Sequence, residues 1–185
     1  MKKKIVALCL CIALAVVAIG GATLAYFTDT TPAVKNTFTV GNVDIDLTET
    51  TGSSYTVIPG VDIDKNPKVT VKADSATSYV FVKVEKKNWN DTMLSYTMGD
   101  GWKQLMDNSD PAAAVAGVFY REVNKPSTDT DFPVIKGNKI TVSNQITGST
   151  FTGEVSLTFT AYAIQKDTFS TPYAAWTEVS KTANP

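Results

Sequence analysis

The sequence predicts an all-β fold, a two-sheet antiparallel sandwich of jelly-roll type with one or two short helical turns. Threonine and valine recur along the chain, and β-branched residues favour strands. Several short segments alternate apolar and polar residues with a period of two, which places the apolar side chains on one face. Glycine, proline, asparagine and aspartate separate these segments at short intervals, as turns require.

The clearest alternation lies in Tyr79–Lys86 and Glu154–Ile164. In the first segment Val80, Val82 and Val84 share one face, with Lys83 and Glu85 on the other. In the second segment the apolar face consists of Val155, Leu157, Phe159, Ala161 and Ala163. Shorter candidate strands are Lys68–Lys72, Gly117–Val123, Phe132–Ile135 and Lys139–Ser143.

Two stretches carry helix signals. Asp110 and Pro111 precede Ala112–Ala116, which predicts a short helical turn capped by Asp110. Thr171 and Pro172 precede good helix formers, which predicts a second one with Thr171 as cap and proline in the first helical position. Trp176 follows within this second segment, and we expect it to cover one end of the sandwich.

The first 25 residues have the layout of a secretory signal peptide. Lys2–Lys4 form a basic head, Ile5–Ile19 are apolar throughout, and Gly20–Ala25 are mostly small. An apolar run of this length is shorter than the roughly 20 residues that span a bilayer. We expect cleavage between Ala25 and Tyr26, with a retained N-terminal anchor as the alternative. Cys9 and Cys11 lie inside the signal, so the mature chain would contain no cysteine.

The hydrophobic phase changes just after the predicted signal. Val34, Asn36, Phe38 and Val40 occupy even positions, whereas Val43, Ile45 and Leu47 occupy odd ones. A strand keeps one buried face across such a change only through a bulge, a bend or a change of sheet. Two interpretations remain open: an ordinary glycine bulge at Gly41, or packing of the upstream residues elsewhere, including on another molecule. The chain is therefore divided into 1–25 (signal peptide), 26–40 (N-terminal segment) and 41–185 (sandwich domain).

Two N-terminal stretches carry a family resemblance. Gly20–Asp29 and Asn36–Ile45 resemble the N-termini of TasA-like and camelysin-like matrix proteins of Gram-positive bacteria, which are exported through a SipW-type signal peptidase. Further along, the chain resembles the clostridial BsaA-type biofilm pilins at Pro59-Gly60, Lys68–Lys72, Tyr79–Val84, Ala161–Gln165 and Ala174–Trp176.

The resemblance implies a secreted jelly-roll subunit that polymerises head to tail into extracellular or cell-surface fibres. An N-terminal donor strand of one subunit would complete the sheet of the next, so the partners are other copies of the chain and, during export, the signal peptidase. Membrane contact would occur only through the signal peptide before cleavage. The candidate donor side chains are Tyr26, Phe27, Val34, Phe38 and Val40. The alternative for this segment is a disordered or self-docked tail.

Charge and composition bear on partners and chemistry. The 17 basic and 18 acidic side chains nearly balance, so the sequence predicts no nucleic-acid partner. Camelysin-like proteins are catalogued as metallopeptidases, but the chain has no histidine and no cysteine beyond Cys11 to bind a catalytic zinc. We therefore expect no metal, no cofactor and no enzymatic activity. The alternatives are a camelysin-type secreted metallo-endopeptidase and a monomeric surface adhesion module.

Weaker site candidates remain. Asp62-Ile63-Asp64 opens like a calcium loop, but Pro67 stands where that loop needs glycine, so a polar connection between strands is favoured. Asp129 and Asp131 form another acidic pair, interpreted as part of a solvated loop. A glycan platform could use the aromatic residues Trp89, Tyr96, Trp102 and Tyr120.

Surface pilins without disulfides are often reinforced by isopeptide bonds. The reaction needs an unprotonated lysine amine and a buried acid that shuttles protons. The candidates are Lys35 as nucleophile, Asn184 as acceptor, and Glu85 or Glu122 as the acid. Against this, Lys35 has the opposite parity to Phe38 and would face solvent if Phe38 is buried in a regular strand.

Overall fold

The computed structural model describes residues 26–28, 38–40, 42–110, 112–147 and 154–182, with only the backbone for 26–28, 38–40 and 182. Short strands dominate this part of the chain. The strands are β1 (Tyr26–Thr28), β2 (Phe38–Val40), β3 (Ile45–Thr48), β4 (Ser54–Thr56), β5 (Ile63–Asp64), β6 (Lys68–Val71), β7 (Ser78–Lys87), β8 (Leu94–Ser95), β9 (Lys103–Met106), β10 (Ala114–Val123), β11 (Thr130–Pro133), β12 (Lys139–Val142) and β13 (Ser156–Gln165). Two 3-10 turns, Lys136–Asn138 and Lys166–Thr168, and the helix α1 (Pro172–Thr182) complete the described elements.

The largest sheet has five strands in the order β2-β13-β7-β10-β9. Its pairs are antiparallel except for β2 with β13, which are parallel. Two three-stranded antiparallel sheets, β11-β6-β3 and β5-β12-β8, and the antiparallel pair β1-β4 are the other described pairings. The predicted all-β sandwich is confirmed.

The main core lies between the five-stranded sheet and the smaller sheets. On the large sheet, the inward residues of β7 are Val80, Val82 and Val84, as their alternation predicts. From β13 the core receives Leu157, Phe159, Ala161 and Ala163, and from the smaller sheets it receives Ile45, Val69, Val71, Ile140 and Val142. Burial of these apolar faces, at roughly 25 cal/mol per Å², is the main stabilising contribution.

Helix α1 covers the opposite face of the large sheet. The helix begins as predicted, because Thr171 Oγ1 accepts a hydrogen bond from the Ala174 backbone N–H at 3.1 Å and Pro172 is the first helical residue. Beneath the helix lies a second buried cluster, formed by Tyr79, Phe81, Leu105, Val118, Tyr162, Ile164, Ala175 and Val179. The two central strands are thus buried on both faces over Ser78–Val82 of β7 and Ala161–Ile164 of β13.

Trp176 lies on this outer face and does not close an end of the sandwich. Its ring centroid is 5.4 Å from that of Phe81 and 5.3 Å from that of Tyr162. The prediction that Trp176 covers one end of the sandwich is therefore wrong. The reason is that an 11-residue helix lies on the outer sheet face, where tilted and edge-to-face aromatic contacts are favourable.

The predicted helical turn at Ala112–Ala116 is also wrong. Asp110 does accept a hydrogen bond from the Ala112 N–H at 3.0 Å, but the result is a turn that leads directly into β10. Ala114 is paired with Met106 of β9. Pairing in a sheet here outweighs the small helix preference of alanine.

The phase change at Gly41-Asn42 coincides with a change of sheet. Strand β2 lies at an edge of the five-stranded sheet, whereas β3 lies at an edge of the β11-β6-β3 sheet. Val43 and Ile45, just beyond the change, are 2% and 1% exposed in the main core. The residues on either side of Gly41 therefore belong to different layers.

Strand β10 contains a bulge that requires glycine. Its register with β9 shifts between Ala114 and Phe119, and Gly117 has a φ of +67°. Gln104 of β9 provides hydrogen bonds to backbone carbonyls at the bulge. Its side-chain amide donates to the carbonyls of Val115 and Val118 at 2.8 and 2.9 Å.

We expect Gly117→Ala to destabilise the fold strongly. A Cβ at this position would lie 2.3 Å from the carbonyl oxygen of Val84, so the backbone of β7 or β10 would have to move. Gly52→Ala is the matched control, because Gly52 also has a positive φ (+94°) but no atom within 4 Å of the added Cβ. The control should lose only about 1–2 kcal/mol for the left-handed backbone. Thermal unfolding measures both variants, and equal losses would contradict the role of the bulge.

Candidate functional site

The N-terminal segment meets the sandwich at two places in the described structure. Phe38–Val40 (β2) runs parallel to β13, with its three residues opposite Tyr162–Ile164. Tyr26–Thr28 (β1) runs antiparallel to β4, with its three residues opposite Ser54–Thr56. Among the predicted donor residues, Tyr26, Phe27, Phe38 and Val40 therefore lie in paired strands of their own chain, and Val34 lies outside the described residues.

The first docking place is the edge of β13. This strand pairs with β7 along all of Ser156–Gln165, whereas β2 pairs with Tyr162–Ile164 only. No described strand lies beside Ser156–Ala161 on that side. This stretch is nevertheless part of the core, since Leu157 and Ala161 are each 1% exposed. An edge that combines unpaired backbone groups with apolar surface is a template for a further extended segment.

The second docking place, strand β4, is held by a buried ion pair. Lys65 is 1% exposed, and its Nζ lies 2.9 and 3.0 Å from the two carboxylate oxygens of Glu49. The same Nζ lies 5.1 Å from the ring centroid of Tyr55 and 5.7 Å from that of Phe159. Removing a charge from water is costly unless it is paired, and here a bidentate carboxylate and two aromatic rings provide the pairing.

Further hydrogen bonds extend this network, which we call the Lys65 network (Glu49, Thr50, Thr51, Tyr55, Lys65 and Asn66). The Tyr55 hydroxyl donates to Glu49 Oε1 at 3.0 Å. The Asn66 side-chain oxygen accepts from the backbone N–H groups of Thr50 and Thr51 at 3.0 and 3.2 Å. The connection between β3 and β4 is thereby fixed to the connection between β5 and β6.

Sequence reasoning missed Lys65 and Glu49. Lys65 stands in a polar stretch that looked like a solvated connection. The available signal was parity, because Lys65 follows the buried Ile63 by two residues and therefore points inward if the chain stays extended. Asp62-Ile63-Asp64 does not form a calcium loop, since Ile63–Asp64 is strand β5 paired with β12.

The isopeptide candidates are not brought together in the described residues. Glu85 is 55% exposed and pairs with Lys83 at 2.8 Å, and Glu122 is 46% exposed and pairs with Lys166. Hydrogen bonds to these carboxylates raise the pKa of both lysines, which keeps the amines protonated. Lys35 and Asn184 lie outside the described residues, so a crosslink between them stays a prediction.

The acidic pair in β11 and just before it forms cross-strand contacts. Asp131 binds Lys68 at 2.6 Å and accepts from the Thr70 hydroxyl, whereas Asp129 accepts from the Ala73 backbone N–H at 2.9 Å. These contacts lower the pKa of both carboxyl groups. Within the described ranges, no group of three or more His, Cys, Asp or Glu residues is arranged to hold a metal ion.

The aromatic residues proposed for a glycan platform are dispersed. Trp102 is 8% exposed and donates its indole N–H to the Pro133 carbonyl at 2.9 Å. Tyr120 packs against Tyr79 in the cluster between the large sheet and α1. Trp89 and Tyr96 contact each other edge to face at 5.8 Å, and burial raises the pKa of Tyr96 to about 12. The four rings therefore do not form one surface.

Comparison with known proteins gives one match. Residues 1–89 match the family described as camelysin metallo-endopeptidase. No curated protein and no solved structure matches the chain. In the residues that the structure describes, no helix is both long and apolar enough to cross a membrane.

This match corrects one expectation and confirms another. The prediction that the chain is not an enzyme is contradicted, because the matched family is named for a metallo-endopeptidase. That prediction depended on the absence of histidine and cysteine as zinc ligands from the mature chain. The predicted resemblance is confirmed: residues 1–89 match the camelysin family model, which is consistent with a TasA/camelysin-like family.

Proposed function

We propose that the chain is a secreted structural subunit that polymerises head to tail into extracellular fibres. In this proposal the N-terminal segment of one subunit pairs with the β13 edge of the next, after a SipW-type signal peptidase has cleaved between Ala25 and Tyr26. The observation that carries the proposal is the β13 edge, which contributes buried side chains to the core and, in the described residues, is paired with β2 over three positions.

The register of β2 supports this arrangement. Phe38, Thr39 and Val40 lie opposite Tyr162, Ala163 and Ile164. If the same parallel register continued toward the N-terminus, residues 32–37 would lie beside 156–161 and complete the edge. The candidate donor segment is therefore long enough for the part of β13 that has no described strand beside it.

The change of sheet after β2 supports exchange between subunits. Strand β2 lies at the edge of a different sheet from β3, so β2 can leave its own β13 without removing a strand from the interior of either sheet. The vacated edge would then accept the same segment from another copy, as in domain swapping. A head-to-tail contact of this kind does not close on itself and produces filaments.

Phe38→Asp should abolish filament formation. Phe38 is paired in register with Tyr162, which is 7% exposed. In the proposed docked state a carboxylate at position 38 would be buried without a partner, which costs several kcal/mol. Negative-stain microscopy and size-exclusion chromatography measure the result. Phe38→Leu is the control and should still form filaments. A normal filament yield from Phe38→Asp would reject Phe38 as a docking residue.

A second candidate function, metallo-endopeptidase activity, is favoured by the family match over residues 1–89. This candidate predicts that the purified chain cleaves casein, that a chelator abolishes cleavage, and that added Zn²⁺ restores it. A mock preparation from cells lacking the chain controls for contaminating peptidases. Absence of cleavage, or cleavage that a chelator does not affect, would count against the candidate.

A further inference from the structure

Strand β4 is too short and has too few strand partners to be stable without contacts from other parts of the chain. It has three residues, and its only partner among the described strands is β1. An isolated two-stranded ribbon is marginal in water even when it is longer. The Lys65 network provides support, because Tyr55, the middle residue of β4, donates to Glu49 and lies against the Lys65 ammonium group. Val57, directly after β4, is 4% exposed and belongs to the main core.

The same network lies next to the β13 edge. Phe159 of β13 is a core residue whose ring lies 5.7 Å from Lys65 Nζ. Lys65 therefore contacts both docking strands: it contacts β4 through Tyr55 and β13 through Phe159. Within a single chain, one continuous N-terminal segment pairs with both strands. A segment that crosses to a neighbouring subunit can make the same two contacts there.

We propose that docking between subunits has two parts, and that the second part is strand β4. Tyr26–Thr28 of one subunit would pair with Ser54–Thr56 of the next, while the region around Phe38–Val40 pairs with β13 of that same neighbour. Lys65 and Glu49 act as positioning residues. Through Tyr55 they fix the position of β4 relative to β13, so that one N-terminal segment can pair with both strands. This inference rests on the proposed function, and the partner is the N-terminal segment of a second copy of the chain.

Single-cysteine variants test the β4 contact in mixtures of chains secreted by the native route. Cys9 and Cys11 are replaced by serine, so that a chain that keeps its signal segment adds no further cysteine. Thr28→Cys is mixed with Ser54→Cys, which are register partners in β1 and β4. Thr39→Cys is mixed with Ala163→Cys, which are register partners in β2 and β13. Because each chain carries one cysteine, a disulfide between the two variants forms only through contact between subunits, and neighbouring strands meet the distance requirement.

The two mixtures test the β4 contact and the fibre proposal separately. We expect a disulfide-linked heterodimer in both mixtures, detected by non-reducing electrophoresis and mass spectrometry. A heterodimer in the β2–β13 mixture alone would overturn the β4 contact and leave the fibre proposal intact. Failure of both mixtures would overturn the fibre proposal together with the inference.

Lys65→Met, introduced into both chains of each mixture, tests the positioning role. We expect loss of the β1–β4 disulfide and retention of the β2–β13 disulfide. Lys68→Met is the matched control, because Lys68 pairs with Asp131 on the surface with 40% of its side chain exposed. The double variant Glu49→Gln/Lys65→Met leaves no unpaired buried charge, so it keeps the test valid if the single variant unfolds. An unchanged β1–β4 disulfide in the folded double variant would overturn the role of the ion pair.

Discussion

The pairing of β7 with β13 is the interaction on which the rest of the structure depends. The two strands are antiparallel over ten residues each and occupy central positions of the largest sheet. One face of the pair contributes valine, leucine and alanine side chains to the main core, and the other face holds the aromatic cluster beneath α1. Because both faces are buried, a shift of register by one residue would exchange the two sets of side chains and disrupt both clusters. The smaller sheets and the helix are therefore positioned by this one ladder.

The same ladder creates the feature that favours assembly. Strand β13 is buried on both faces over Ala161–Ile164, yet its backbone groups are directed along the sheet, and it is the last long described strand on its side. Those groups need partners wherever water is excluded. In the described structure the chain's own residues Phe38–Val40 supply part of them. The self-docked tail and the donor strand are thus two uses of one edge, and they differ in which copy of the chain provides the segment. The buried Lys65–Glu49 pair fits this view, since such pairs fix geometry more readily than they add stability.

The residue composition of the chain and the name of the matched family point to different functions. The matched family is named for a metallo-endopeptidase, yet the chain contains no histidine. Many carboxylates in the described ranges, including Glu49, Asp91, Asp129 and Asp131, are engaged by lysines or by backbone and hydroxyl donors. A peptidase reaction would require ligands of another kind or another arrangement of these groups.

Local patterns were sufficient for the fold class and for several elements. Alternation in Val80–Val84 and Leu157–Ala163 predicted which side chains enter the core, and Thr171-Pro172 predicted where α1 begins. The phase change at Gly41-Asn42 predicted a discontinuity, which is a change of sheet. These features depend on side-chain period and on capping, which act within a few residues.

Other features were decided by tertiary structure alone. The outer-face cluster exists because α1 covers residues on the face opposite to the alternating apolar one, including Tyr162. Ala114–Ala116 is a strand because β9 lies beside it. Lys65 is buried because Glu49, Tyr55 and Phe159, from three other parts of the chain, surround its amine. Each of these outcomes depends on groups far apart in sequence, whose proximity no local period encodes.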